Sequence, residues 1–519
     1  MELLQIVLFL LLCSVALGWV ARHFGVPYPI ALVIGGGLLG FIPRLPQLPF
    51  DPEFILVLVL PPVLYQAALL TSWRDFKLHM RPIGQLAIGL VVVTTLAVGA
   101  AFKLLVPECP WAVAFVLGAI VSPPDAVAAT AILSRLNVPR RVVTILEGES
   151  LVNDASGLVI YKFAVAAVMT GTFSLFDAGM QFVAVSIGGI AVGMALATLF
   201  VAVHRRLGDT FIEVLTTLAV PYVAYILAET LHVSGVLAVV AAGLVRGRYS
   251  PQIVSAETRI IARSVWNLLV FLLNSLVFML IGLQLSEVVH RLANEPRLEL
   301  IVAGALVSAV AIGVRFAWIY PTAGLSRLLQ WGTPQRRNAK SGGEVFIMSW
   351  CGMRGIVSLT AALALPATLP NGDAFPFRDL IVFLTFVVIA VTLVLQGLSL
   401  PLLIRRLKVG NDRSLFEEHQ NARLLLGQAA VAAIDRHAQD HKAPRDLVAR
   451  IQTEFSEKFA DTLAPDATTE SPFELVIGMR RAALQAERTE LIRIWQDDQI
   501  SDEVLHHIEE DLDYRESHL

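Results

Sequence analysis

Long apolar stretches constrain this chain more than any other feature. Thirteen candidates occupy its first 406 residues: 3–21, 28–43, 53–70, 83–105, 111–134, 143–171, 178–202, 210–231, 234–246, 259–286, 299–325, 343–368 and 377–404. A helix needs about 20 apolar residues to cross a hydrocarbon core of roughly 30 Å. Composition agrees. The 519 residues are 56% hydrophobic and only 16% charged, with mean hydropathy +0.68, whereas soluble domains carry about 25% charged residues. The expectation is an all-α polytopic membrane protein with about thirteen transmembrane helices. Glu2 and the lack of a basic residue before the first apolar run favour a retained span over a signal peptide. Cys13, Cys109 and Cys351 have neither a disulfide framework nor metal-ligand spacing.

The loops give an independent check. Counted with the span ends that flank them, the loops following odd-numbered spans hold 17 Lys and Arg residues, and those following even-numbered spans hold 5. Basic loops stay in the cytoplasm. The N-terminus is therefore expected outside and everything beyond the last span inside. A wrong span count would scramble this alternation.

Charge divides the chain at the same place. Residues 407–519 carry 23 acidic and 13 basic side chains, against 20 and 27 in residues 1–406. Leu424–Ile434, Leu447–Phe459 and Phe473–Ile494 alternate apolar and charged positions as amphipathic helices do. Ala464–Pro472 interrupts them, and Asp497–Glu516 is strongly acidic. This reads as a solvated, helical cytoplasmic tail.

Charged residues in the middle of a span cost about 2.5–3.5 kcal/mol each on insertion scales and mark function by default. Span 5 is apolar to Ser122, is broken by Pro123-Pro124-Asp125, and resumes at Ala126. Two successive prolines remove amide donors and clash with the preceding turn, so the helix should break and bare carbonyls beside a carboxylate. Span 6 carries Glu149-Ser150-Leu151-Val152-Asn153-Asp154. Ser150 and Asp154 share one helix face, Glu149 and Asn153 the adjacent one. Counted from Val143, Asp154 lies about 16 Å into the span, near mid-membrane. Span 12 carries Gly352-Met353-Arg354-Gly355, a permanently charged arginine between glycines; Glu149 is its expected partner. Lys162 and Arg315 read as packing ion pairs or snorkelling side chains, and Glu213 and Glu229 as interfacial. Gln66 is placed to border a cavity.

The two interrupted spans are seven apart. If spans 1–6 and 8–13 form inverted six-helix repeats, span 5 corresponds to span 12, and broken helices at corresponding positions point to a transport site. Their half-helix ends would cross near Asp154. Asp125, Asp154, the Ser150 hydroxyl and backbone carbonyls make a hard-oxygen site suited to a small monovalent cation. A proton and a sodium ion neutralise the carboxylate equally well. An empty, charged carboxylate faces a barrier of several kcal/mol in crossing a low-dielectric region. Movement is then coupled to one ion or the other.

Gly148-Glu-Ser-Leu-Val-Asn-Asp154, Asp125 placed 25 residues before Ser150, and Trp350-Cys-Gly-Met-Arg-Gly355 resemble the signatures of the sodium/proton exchanger family, in its bacterial Asn-Asp branch. Leu60-Pro61-Pro62, Val233–Leu237 and Asn274–Leu285 add to the likeness, which spans about residues 1–406. The resemblance implies a homodimer in the plasma membrane (the bacterial inner membrane), with no cofactor and no nucleic-acid partner. It implies dimer-forming spans 1–3 and 8–10, a mobile core of spans 4–6 and 11–13, and span 7 as link. Na+ would be held by Asp125, Ser150, Asp154 and the Pro124 carbonyl, with Glu149, Asn153 and Arg354 as a supporting network. The implied activity is electroneutral one-for-one Na+ or Li+ against H+ exchange serving pH homeostasis, not an enzymatic reaction. The sequence departs from the family pattern at Pro124-Asp125-Ala126, where the proline usually follows the aspartate, and at Gln66, where many relatives carry an acid. Potassium/proton exchange uses the same carboxylates and is the alternative. A cation channel needs no neutralising counter-ion. An intramembrane hydrolase built on Ser150 or Ser349 lacks a mid-span histidine base.

Overall fold

Helices occupy all of the predicted apolar stretches. The computed structural model describes residues 2–24, 27–40, 42, 52–133, 136, 138–171, 174–291, 296–329, 342–409, 414–440, 444–460, 472–497, 508, 512, 514 and 516. The first helices are α1 (Glu2–His23), α2 (Tyr28–Gly40), α3 (Pro52–Leu70) and the short α4 (Trp73–Leu78). A continuous helix follows, built from α5 (Met80–Gly84), a π-helical turn (Gln85–Leu90) and α6 (Val91–Leu105). The fifth stretch is a pair, α7 (Trp111–Val121) and α8 (Ala126–Leu133), broken where the two prolines fall. Next come α9 (Arg140–Thr170), α10 (Leu175–His204), α11 (Thr210–Thr230), α12 (Gly235–Ile253), α13 (Ala256–Arg291) and α14 (Arg297–Leu329). The twelfth stretch is also a pair, α15 (Gly342–Trp350) and α16 (Ile356–Leu363). The last comprises α17 (Arg378–Val391), a second π-helical turn (Thr392–Gln396) and α18 (Gly397–Leu407). Among the described residues, seven helices are long and apolar enough to cross a membrane unaided, and four shorter apolar helices accompany them.

Polar residues in the loops start several helices. Ser72, Ser174, Asp209 and Ser234 each accept a hydrogen bond from the backbone amide three residues on, satisfying a donor that the first turn leaves bare. Gly171 ends α9 in the left-handed conformation at φ +70°. Cys109, in the loop between α6 and α7, is buried, and burial pushes its thiol up to about 11. It therefore stays a protonated, unreactive packing residue.

Lipid offers no hydrophobic drive for one helix to seek another, so close packing decides which helices pair. Glycine enables it between α2 and α13. A Cβ on Gly282 would strike the Val33 carbonyl and the Gly36–Gly37 backbone. Large apolar side chains such as Leu12, Phe176, Phe211 and Leu298 are left more than two-thirds exposed, at 70%, 76%, 74% and 74%, as a lipid-facing surface allows. Lys162 pairs with Glu229 at 3.1 Å between partly exposed side chains. Glu213 overturns its interfacial reading. It is 6% exposed and packs against His204 Nε2 at 3.5 Å, and Arg246 Nη2 lies 3.0 Å from the same ring nitrogen. The end of a span lies inside the protein when neighbouring helices overhang it.

The chain separates into two compact units, Met1–Asn411 and Asp412–Leu519. The second contains α19 (Ser414–Asp440), α20 (Arg445–Ala460) and α21 (Pro472–Gln496), which enclose the three predicted amphipathic segments. Leu484, Leu491 and Leu512 form its small apolar cluster, and Arg488 pairs with Glu516 at 2.7 Å. Of the predicted interruption at Ala464–Pro472, all but Pro472, which opens α21, lies outside the described residues, as does most of the acidic 497–516 stretch.

Candidate functional site

The site lies where the two interrupted helices meet. Pro123 and Pro124 cannot donate to the preceding turn, so the last carbonyls of α7 need partners from elsewhere. Arg354, in the break between α15 and α16, supplies one: its Nε donates to the Val121 carbonyl at 3.1 Å. In return the Asp125 amide donates to the Met353 carbonyl at 2.7 Å. Each break thus satisfies backbone groups left open by the other, and a cationic side chain sits against the negative end of α7. Gly355 allows this approach, because a Cβ there would occupy the position of the Asp125 carboxylate.

α9 runs past the crossing and presents two sets of side chains. Ser150 and Asp154 line a cavity of about 450 Å³ together with Asp125 and Gln66. Asp154 is 6% exposed, and Asp125 and Ser150 are half-buried. Asp125, Ser150 and Asp154, chosen from sequence, are therefore brought to one wall-to-wall space. Gln66 borders it as expected, and its Nε2 donates to Asn267 Oδ1 at 3.0 Å. Glu149 and Asn153 lie within the protein, 1% and 0% exposed.

The interior set differs from the expected network. Glu149 does not meet Arg354. Its carboxylate is gripped in bidentate fashion by Arg315 of α14, with Nη2 to Oε2 at 2.7 Å and Nη1 to Oε1 as the second bond. Arg315 Nε also donates to the Met348 carbonyl at 3.0 Å. Arg354 instead spends its donors on the carbonyls of Val121, Gly352 and Ala311, the last at 3.2 Å. The break determines this choice: free carbonyls next to Arg354 need donors, while Glu149 needs a full charge. Asn153 joins α9 to the first break, its Nδ2 donating to the Pro124 carbonyl at 2.9 Å. That acceptor fixes the amide's orientation, and Asn153 Oδ1 is left buried with no hydrogen-bond partner. The Pro124 carbonyl, expected to face a cation, is thus already an acceptor for Asn153, with its second lone pair uncommitted to that bond.

Three elements escaped the sequence reading. Arg315 reads from sequence as a packing ion pair or a snorkelling side chain, and a buried ion pair is what it forms; its partner, Glu149, is what the sequence did not reveal. The π-helical turns have no local sequence mark, yet each supports the site. Ser156 donates to the Ala87 carbonyl in the first turn at 2.5 Å, and Thr392, opening the second, accepts from the Arg354 amide at 3.1 Å. Glu147 also lines the cavity. Its spacing, three before Ser150 and seven before Asp154, was the available signal.

A family model described as "Sodium/hydrogen exchanger, transmembrane" matches residues 7–406. An uncharacterized Na(+)/H(+) exchanger of Mycobacterium tuberculosis is 34% identical over 526 residues, covering 99% of this chain and 96% of that one. The sodium, potassium, lithium and rubidium/H(+) antiporter of Bacillus pumilus is 35% identical over 390 residues, 73% of this chain and 58% of that one. Among solved structures, the sodium proton antiporter MjNhaP1 from Methanocaldococcus jannaschii superposes with a TM-score of 0.63 at 20% identity, over 79% of this chain and all (100%) of that one.

Proposed function

Since this chain belongs to the sodium/hydrogen exchanger family, a family of multi-pass membrane transporters and not of enzymes, we propose that it exchanges Na+ or Li+ for H+ one for one, with both ions competing for Asp154. The observation that carries the proposal is the gathering of Asp154, Asp125 and Ser150 on one cavity at the crossing of two broken helices. Asp154 takes either a proton or the cation. Asp125 and the Ser150 hydroxyl complete an oxygen shell, with the free lone pair of the Pro124 carbonyl beside them. Hard oxygen donors suit a small alkali cation. Burial makes the ion-free carboxylate costly, so the empty carrier stays put and the loaded one moves. Asn153 contributes no charge, so each cycle moves a single neutralising ion in each direction. Asn153, Arg354 and the Glu149–Arg315 pair hold the crossing in place.

In this reading the thirteen apolar stretches all cross the membrane. Spans 1–6 and 8–13 are inverted repeats, and the core of spans 4–6 and 11–13 moves against spans 1–3 and 8–10 of a homodimer. The N-terminus is outside and the tail is in the cytoplasm of a bacterial cell.

Everted vesicles with an acidic interior should lose their pH gradient when sodium or lithium is added. A gradient indifferent to every alkali cation would refute exchange. Clamping the membrane potential should leave the equilibrium unchanged; a shift would rule out one-for-one coupling. Potassium exchange is the second reading, favoured by the cation range in the name of the Bacillus pumilus relative. Potassium dissipating the gradient as well as sodium at equal concentration would establish it here.

Gly355→Ala tests the crossing itself. The added methyl must displace the Asp125 carboxylate, and a misplacement of about 1 Å at a reacting group costs on the order of 100-fold. Exchange in vesicles should fall by that order while the protein still inserts. Undiminished exchange would show that Asp125 need not sit against the second break.

A further inference from the structure

Of the two glutamates on α9 near the site, Glu149 is committed to Arg315, and Glu147 has no such assignment. Glu147, Ser150 and Asp154 fall on one stripe of the helix and line the same cavity. At 1.5 Å per residue, Glu147 stands about 10 Å along the axis from Asp154. It lies toward the start of α9, the end that carries the basic Arg140 and Arg141 and that loop charge assigns to the cytoplasm. The end of α3 lines the same cavity, where Gln66 is half-buried and Leu70 is 67% exposed. On that orientation Glu147 stands on the cytoplasmic side of Asp154 along α9. Arg140, the cation whose field reaches Glu147, is itself held by Asp75 at 2.9 Å. The other ionisable groups on the cavity wall are Asp125, Asp154 and Tyr28.

We infer that Glu147 is the carboxylate that draws the arriving cation into the cavity and sets the apparent sodium affinity, without holding the ion at Asp154. This rests on the exchange reading above. A negative charge at the entrance of a low-dielectric cavity raises the local cation concentration, and it strengthens the hold of Asp154 on sodium and proton alike. At about 10 Å and an effective dielectric constant of about 20, one charge changes a binding constant by roughly tenfold. Glu147 is thus a positioning residue acting through the field in the cavity.

Reconstituted protein in liposomes, followed with a pH-sensitive dye, tests this. At a pH above the acid limb, where protons do not compete, Glu147→Gln should raise the apparent KM for sodium about tenfold, and saturating sodium should restore the rate. Its inhibition by protons should move to lower pH, because a weaker hold on the proton needs more protons to compete. Glu147→Asp should behave as the unsubstituted protein. Gln66→Glu, which returns a charge to the same cavity, should lower the KM of Glu147→Gln. The inference is overturned if Glu147→Gln leaves KM and the acid limb within about twofold of the original. It is equally overturned if the Gln and Asp variants both lose maximal rate alone, which is the mark of a structural role. An unsubstituted protein that exchanges no alkali cation overturns the exchange reading as well; normal exchange with an indifferent Glu147→Gln overturns this inference by itself.

Discussion

Asp154→Asn is expected to abolish exchange in vesicles to the background rate while the protein still inserts and assembles. Asparagine nearly matches aspartate in size and leaves room in the cavity unchanged. It cannot bear the negative charge that a proton or sodium ion cancels. The carboxylate it replaces is 6% exposed and stands where the cavity meets the interrupted helices. Without the charge, neither ion is required for movement and neither is bound by charge. The check is dye-reported exchange beside a size-exclusion profile of the variant in detergent. Retained exchange with a normal profile would remove Asp154 from the central role and move attention to Asp125.

The second large effect concerns stability. Arg315→Leu leaves the Glu149 carboxylate, 1% exposed, without its counter-ion. Removing one partner of a buried pair costs about 3–5 kcal/mol, because the other charge remains desolvated. Thermal unfolding of the purified variant should shift sharply downward. The paired change Glu149→Gln with Arg315→Leu removes both charges and should recover much of the loss, since a buried ion pair is often replaceable by uncharged groups of similar volume. If the double variant is as unstable as the single one, the pair contributes through its geometry at Met348 and not through charge. If Arg315→Leu unfolds normally, the pairing does not bear on stability at all.

These outcomes separate what chain-local chemistry dictates from what packing decides. The breaks in spans 5 and 12 were legible because Pro123-Pro124 and Gly352–Gly355 act on the backbone within one turn of themselves. The two faces of span 6 were legible because a helix fixes which residues three and four apart lie together. The tail helices were legible from the same periodicity. Which arginine neutralises Glu149 was not, because Arg315 and Arg354 are both single cations in apolar helices and sequence distance does not rank them. Glu213 read as interfacial because it stands near the start of a span; its burial comes from α10 and α12 alongside it. The π-helical turns are joined to the site by contacts distant in sequence, Ser156 to Ala87 and the Arg354 amide to Thr392, which no local pattern marks.

The thirteen apolar stretches, with which this chain began, determined by themselves that it is a helical membrane protein, because solvation in lipid is a property of composition and length. The acids at 125 and 154 and the serine at 150 were likewise evident, as isolated polar groups in costly surroundings. Their union in one cavity, the mutual capping of two broken helices, and the division of labour between Glu147 and Glu149 were decided only in three dimensions. Those features depend on which carbonyls and charges remain unsatisfied after the helices pack, and no single helix contains that information.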